Sequence, residues 1–110
     1  MREIKESDWK ILRQLHPEAL ERFCKEILLE IESINSDSAK SFHRRYLDTF
    51  GVLHRRDEEI AETFNNLRRS TALRQLASMR ARGLLTEDEF SRFSQDTRNA
   101  VDLLLEILRG

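Results

Sequence analysis

His-Arg-Arg occurs twice in this chain, at 43–45 and 54–56, within FHRRYLDTFGVLHRRDEE (42–59). Guanidinium groups recognise phosphates and carboxylates through paired, charge-assisted hydrogen bonds. On a helix the eleven-residue offset is three turns plus roughly 20°, so the two triplets stack on one side. Arg44, Arg45, Arg55 and Arg56 are therefore the candidate partner-binding residues. The same spacing also has a plain reading. Asp48 follows Arg44 by four and Glu59 follows Arg55 by four, which makes ordinary ion pairs on a solvated helix.

His54, Glu58 and Glu62 share the i, i+4, i+8 spacing that places three possible metal ligands on one face. Metal sites in helical bundles draw ligands from several helices, and no neighbouring Glu-x-x-His accompanies this stripe. No metal is expected. Cys24 falls on an apolar helical stripe, so a buried thiol is expected rather than a nucleophile, which needs an electropositive, partly open setting. The sequence has no Gly-rich phosphate loop, no Cys-x-x-Cys and no nucleophile elbow. No catalytic residue, enzymatic activity or cofactor is expected.

The elements that would carry these groups read as helices. Gly is 3 and Pro 1 among 110 residues, too few for the many turns of a sandwich or barrel. Ser7-Asp8 caps a short helix through Trp9, Leu12 and Leu15, expected to stop at His16-Pro17 because the residue before proline avoids the helical region. A second helix, PEALERFCKEILLEIESI (17–34), carries Leu20, Phe23, Cys24, Ile27, Leu28, Ile31 and Ile34 on a wide apolar stripe. NSDS at 35–38 is a break. A long helix from Ser38 to Arg68 follows, with Ala39, Tyr46, Leu53, Ile60 and Leu67 every seven residues and Phe42, Phe50 and Phe64 beside them. That phase survives Gly51 and Asp57, so the helix is expected to be continuous, with its aromatic line as a core stripe. Ser70 opens a further helix that ends in RARG, with Gly83 as the stop. Thr86 and Glu89 form a capping box before Phe90. One last helix is expected there, with Phe90, Phe93, Val101, Leu104 and Leu108 inward.

Segment 73–93, LRQLASMRARGLLTEDEFSRF, resembles the short helical hairpin called SHOCT, found at the ends of many bacterial proteins. The likeness lies in the Leu-rich helix, Gly83, two aliphatics, Thr86, the acids and Phe90. It covers about a fifth of the chain and implies association rather than catalysis. Glu58-Glu59-Ile60-Ala61-Glu62 resembles the first half of the magnesium signature of MazG-like nucleotide pyrophosphohydrolases. The second half, Glu-x-x-Asp on another helix, is replaced by Asp96-x-x-Asn99. Magnesium needs converging carboxylates, so that activity is not carried over.

Charge and size bound the rest. Lys+Arg is 19 and Asp+Glu 20, giving a net −1, so net charge announces neither a nucleic-acid nor a membrane-surface protein. Residues 38–82 hold 10 basic against 5 acidic residues, while both flanking segments are acidic. One domain, 1–110, is expected. A single cysteine and an N-terminus without an apolar core, MREIKESDWK, point to a cytoplasmic protein without a signal peptide. A Ser38–Arg68 helix would be about 45 Å long, against about 35 Å for a compact domain of this size. That mismatch, with apolar faces too wide for one neighbour, favours a homodimer. The sequence thus reads as an all-α antiparallel bundle of about four main helices plus a short N-terminal one. Its expected role is a small, non-enzymatic, self-associating interaction module, a regulator or adaptor, with an acidic protein as a second candidate partner. The alternative is a nucleic-acid-associated regulator using the basic strip.

Overall fold

In the computed structural model, which describes residues 3–109, every regular element is an α-helix. The order is α1 Glu6–Asn35, α2 Phe42–Phe64, α3 Ala72–Ala81, α4 Glu87–Ser91 and α5 Gln95–Arg109. The all-α expectation holds, but the helices are divided differently.

The expected stop at His16-Pro17 does not occur, and α1 runs through Pro17 for 30 residues. An internal proline costs roughly 3 kcal/mol. Against that, Leu12, Leu15, Ala19, Phe23 and Ile27 form one unbroken buried line across it, and each large apolar side chain so buried contributes about 1.5–3 kcal/mol. Pro17 and Arg13 are both exposed, so the pyrrolidine ring has room and water can reach the carbonyl it leaves without a donor. The expected separate N-terminal helix is simply the first turns of α1.

α2 returns antiparallel to α1, as three cross-links show. Arg45 reaches the Asn35 carbonyl, Arg56 meets Glu30, and His16 Nε2 lies 2.9 Å from the Phe64 carbonyl oxygen. The helix is continuous through Gly51 and Asp57 as expected, but shorter than Ser38–Arg68. Ser41 caps its start by accepting from the Arg44 amide. Ala39 and Leu67 lie in the flanking loops.

The base of this hairpin is covered by α3, α4 and α5. Trp9, Leu12, Phe23, Phe64, Leu76, Met79, Leu84, Phe93 and Val101 make the core there. Gly83 terminates α3 with φ 69°, a left-handed conformation that favours glycine. The capping box is present in both directions: Thr86 Oγ1 accepts from the Glu89 amide, and Glu89 accepts from the Thr86 amide. The far end of the hairpin extends beyond this cover. The molecule consequently measures 51 × 26 × 22 Å, longer than the about 35 Å of a compact domain this size.

The single last helix is also corrected, because the chain breaks between α4 and α5. Ser94 starts α5, and Asp8 of α1 reaches over to hold it. The Asp8 carboxylate accepts from the Ser94 amide at 2.8 Å, the Ser94 hydroxyl at 2.6 Å and the Thr97 hydroxyl at 2.7 Å. Burial pushes the Asp8 carboxyl up, but these hydrogen bonds outweigh it and hold the group below its ordinary value. The break shifts the phase of α5. Val101 and Leu105 point inward, while Leu108, expected inside, is 72% exposed. Replacing Asp8 by alanine strands buried donors and takes the buried carboxylate away from the start of α5, which keeps only the exposed Asp96. A loss of about 2 kcal/mol follows, readable as a lower urea midpoint. An unchanged midpoint would mean that Ser94 holds α5 without Asp8.

Candidate interaction surface

The stacking expected of the two His-Arg-Arg triplets is present, but most of these arginines are occupied at home. Arg45 donates to the carbonyls of Lys40 and Asn35, both at 3.1 Å, and so ties off the end of α1. Its guanidinium lies 4.6 Å from the centre of the Phe42 ring. Arg44 pairs with Asp48 at 3.2 Å. Arg55 and Arg56 both pair with Glu30 of α1, at 2.9 and 3.0 Å. The structure therefore brings Arg55 and Arg56 together around one carboxylate and leaves Arg44 and Arg45 at the hairpin tip.

Arg56 belongs to a polar seam that sequence reasoning missed. It also pairs with Glu59, which pairs with Arg82 at the end of α3. Arg82 reaches Thr63, whose hydroxyl lies 2.8 Å from that of Ser78. Both guanidiniums lie about 5.5 Å from the centre of the buried Phe23 ring, where a cation is attracted to the π-face. Burial pulls the Arg56 guanidinium down, yet Glu30 and Glu59 more than compensate and raise it. Among the described residues no buried side-chain nitrogen or oxygen lacks a partner, so this seam is a brace between helices.

This brace decides which side of α2 faces α1. The covered line runs through Val52 and Thr63, with Arg45, Asp48, Arg56 and Glu59 half-buried along it. The line expected in the core is instead open: Phe42 is 83% exposed, Tyr46 65%, Phe50 62% and Leu53 49%. The correction has a geometric cause. Beyond the base, α2 has only α1 as a neighbour, and one helix covers one line of residues on another. Ion pairs to Glu30 and hydrogen bonds to the end of α1 claim that line. The aromatic stripe, roughly a quarter turn away, is left in water.

The stripe continues into a groove between the two helices, lined by Cys24, Ile27, Leu28, Leu53, Arg56, Asp57 and Ile60. Leu28 and Leu29 of α1 are exposed beside it. Soluble monomers rarely leave large contiguous apolar patches open, and those they do leave mark binding sites. Cys24, expected buried, is half-buried at the edge of this groove. A second, smaller apolar face lies on α5, where Leu103, Ile107 and Leu108 are exposed. Leu28 and the α5 leucines were legible beforehand as faces too wide for one neighbour; the aromatic line was legible as apolar but assigned to the wrong side.

The remaining candidates do not converge. His54 Nε2 lies 3.5 Å from Glu58, and its ring stacks parallel to Phe50. Among the described residues no three His, Cys, Asp or Glu side chains gather as a metal would require. No helix of the described residues is long and apolar enough to cross a membrane.

Residues 71–92 match the family described as SHOCT, the short C-terminal domain. They correspond to α3, its glycine stop and all of α4, and α5 follows them in this chain. No curated protein and no solved structure matches the chain. The hairpin is held to α1 by Arg22, which donates to both oxygens of Glu89, at 2.6 and 2.9 Å, and to the Leu84 carbonyl.

Proposed function

We propose that this chain is a non-enzymatic, cytoplasmic interaction module that self-associates through the exposed apolar face of the α1–α2 hairpin. The observation that carries this reading is the aromatic stripe of Phe42, Tyr46 and Phe50, more than 60% exposed at each position. Three large rings held in water on one helix face represent several kcal/mol of burial still available. Arg45, whose guanidinium lies 4.6 Å from the centre of the Phe42 ring, flanks that face and would lie at the rim of an interface, adding charge complementarity more than affinity. A rim arginine would equally suit an acidic protein surface. The nucleic-acid reading draws less support, because Arg55 and Arg56 are already engaged by Glu30.

Light scattering at tens of micromolar is expected to give twice the 13.1 kDa of one chain. Phe50→Glu, a change at an exposed position, is expected to return the mass to one chain while leaving the helical circular dichroism intact. A wild-type chain that stays at the monomer mass across this range removes the proposal.

A further inference from the structure

We propose that two copies pair through α2 in antiparallel orientation, each copy's aromatic ridge lying in the other's groove between α1 and α2. The inference rests on the self-association reading above and specifies its geometry.

The two halves of the face differ in shape. Toward the hairpin tip it is a ridge of Phe42, Tyr46 and Phe50. Toward the base it is the groove of about 320 Å³ lined by Leu28, Leu53, Asp57 and Ile60. A parallel pairing sets ridge on ridge and groove on groove. An antiparallel pairing sets each ridge into a groove, the ridge-and-groove rule of helix packing.

Charge selects the same orientation. The tip half of α2 carries His43, Arg44 and Arg45 against the single acid Asp48, whereas the base half carries Asp57, Glu58, Glu59 and Glu62 against Arg55 and Arg56, which Glu30 of α1 already engages. Antiparallel pairing brings the basic half of each copy onto the acidic half of the other. Asp57 is the sharpest discriminator. It is exposed within the apolar face, in helical register between Phe50 and Leu53. Parallel pairing would bury two Asp57 carboxylates against each other, and like charges brought together out of water are strongly disfavoured.

A two-fold axis between Phe50 and Leu53 places Phe50 on the partner's Leu53 and Tyr46 opposite the partner's Asp57. The Tyr46 phenol then donates to that carboxylate, which satisfies both polar groups as the face closes. A two-fold pairing of this kind is isologous, each contact occurring twice. On the flank of the seam the same axis brings His43 beside the partner's Ala61. Within one copy these positions are about 27 Å apart along the helix.

Cross-linking reads this register directly. In a Cys24→Ser background, copies carrying His43→Cys are mixed with copies carrying Ala61→Cys and oxidised with diamide at tens of micromolar. Both positions are exposed and lie outside the aromatic ridge. The mixed disulfide is expected to form at least ten-fold faster than either like-with-like disulfide, and the added change Phe50→Glu should abolish the preference. Fastest linking of like positions in a chain of dimer mass would overturn the antiparallel register while leaving self-association intact. A monomer mass with no preferred link would overturn both. A monomer that instead binds phosphatidylserine-containing vesicles, and loses that binding with Phe50→Glu, would assign the face to a lipid surface and likewise overturn the pairing.

Discussion

Phe23→Ala is expected to destabilise the fold by about 4 kcal/mol and to lower Tm by about 15 °C. Phe23 is 1% exposed and sits where three elements meet. Its ring packs near Phe64 of α2, with centroids 6.1 Å apart, and lies beside both Arg56 and Arg82. Truncation therefore opens a cavity and also removes the surface on which the two guanidiniums rest. The ion pairs of that seam involve half-exposed partners and contribute modestly one by one; the ring keeps them in register. The loss is measured by urea and thermal melts at one fixed protein concentration, because a dimer's stability depends on concentration. A loss below about 1.5 kcal/mol would show that neighbours collapse into the space and that the seam holds without the ring.

The second large effect belongs to Glu89. Its carboxylate closes the capping box and receives Arg22 through two hydrogen bonds, joining the 71–92 hairpin to α1. The side chain of Glu89 is 8% exposed and that of Arg22 39%, so one member of the pair is buried and the other is partly in water. Glu89→Ala removes the return half of the cap and leaves Arg22 with the Leu84 carbonyl and a 4.0 Å contact to the exposed Glu18. A loss of about 3 kcal/mol is expected, between the values for a lost cap and for a broken buried pair.

The same group sets an acid limit. The Arg22 guanidinium holds the Glu89 carboxyl down at about 2, below its ordinary 4.5. A carboxyl lowered by folding stabilises the folded state above its unfolded value and loses that contribution as pH falls. The contribution is therefore complete above about pH 4.5 and disappears as pH drops toward about 2. Asp8 is shifted in the same direction by Ser94 and Thr97, against its burial. The wild-type urea midpoint should thus decline between pH 5 and pH 2.5, and Glu89→Gln should flatten that decline. An equal slope in the two proteins would place the acid sensitivity elsewhere.

Local signals in the sequence were read correctly where they act over a few residues. The Thr86–Glu89 box, the glycine stop at 83 and the break after Asn35 each depend on hydrogen bonds or backbone sterics within one turn. The all-α class follows from the same short-range preferences. The misread positions are those where a distant group competes. Pro17 carries a helix-stop signal, but burial of one line of residues on both sides of it outweighs that signal. Ser94 breaks the expected last helix because Asp8, 86 residues earlier in the chain, accepts its amide.

The aromatic stripe shows the division most plainly. Composition and spacing alone determined that Phe42, Tyr46, Phe50 and Leu53 lie on one side of a continuous helix, with arginines around the back. They could not determine which side meets α1. That was decided by Glu30 and the end of α1, which take Arg55, Arg56 and Arg45. Periodicity reports only the angle between residues on one helix, whereas facing is settled by the neighbour that satisfies charges and carbonyls. A polar line with good partners can therefore be covered while an apolar line stays open for another molecule.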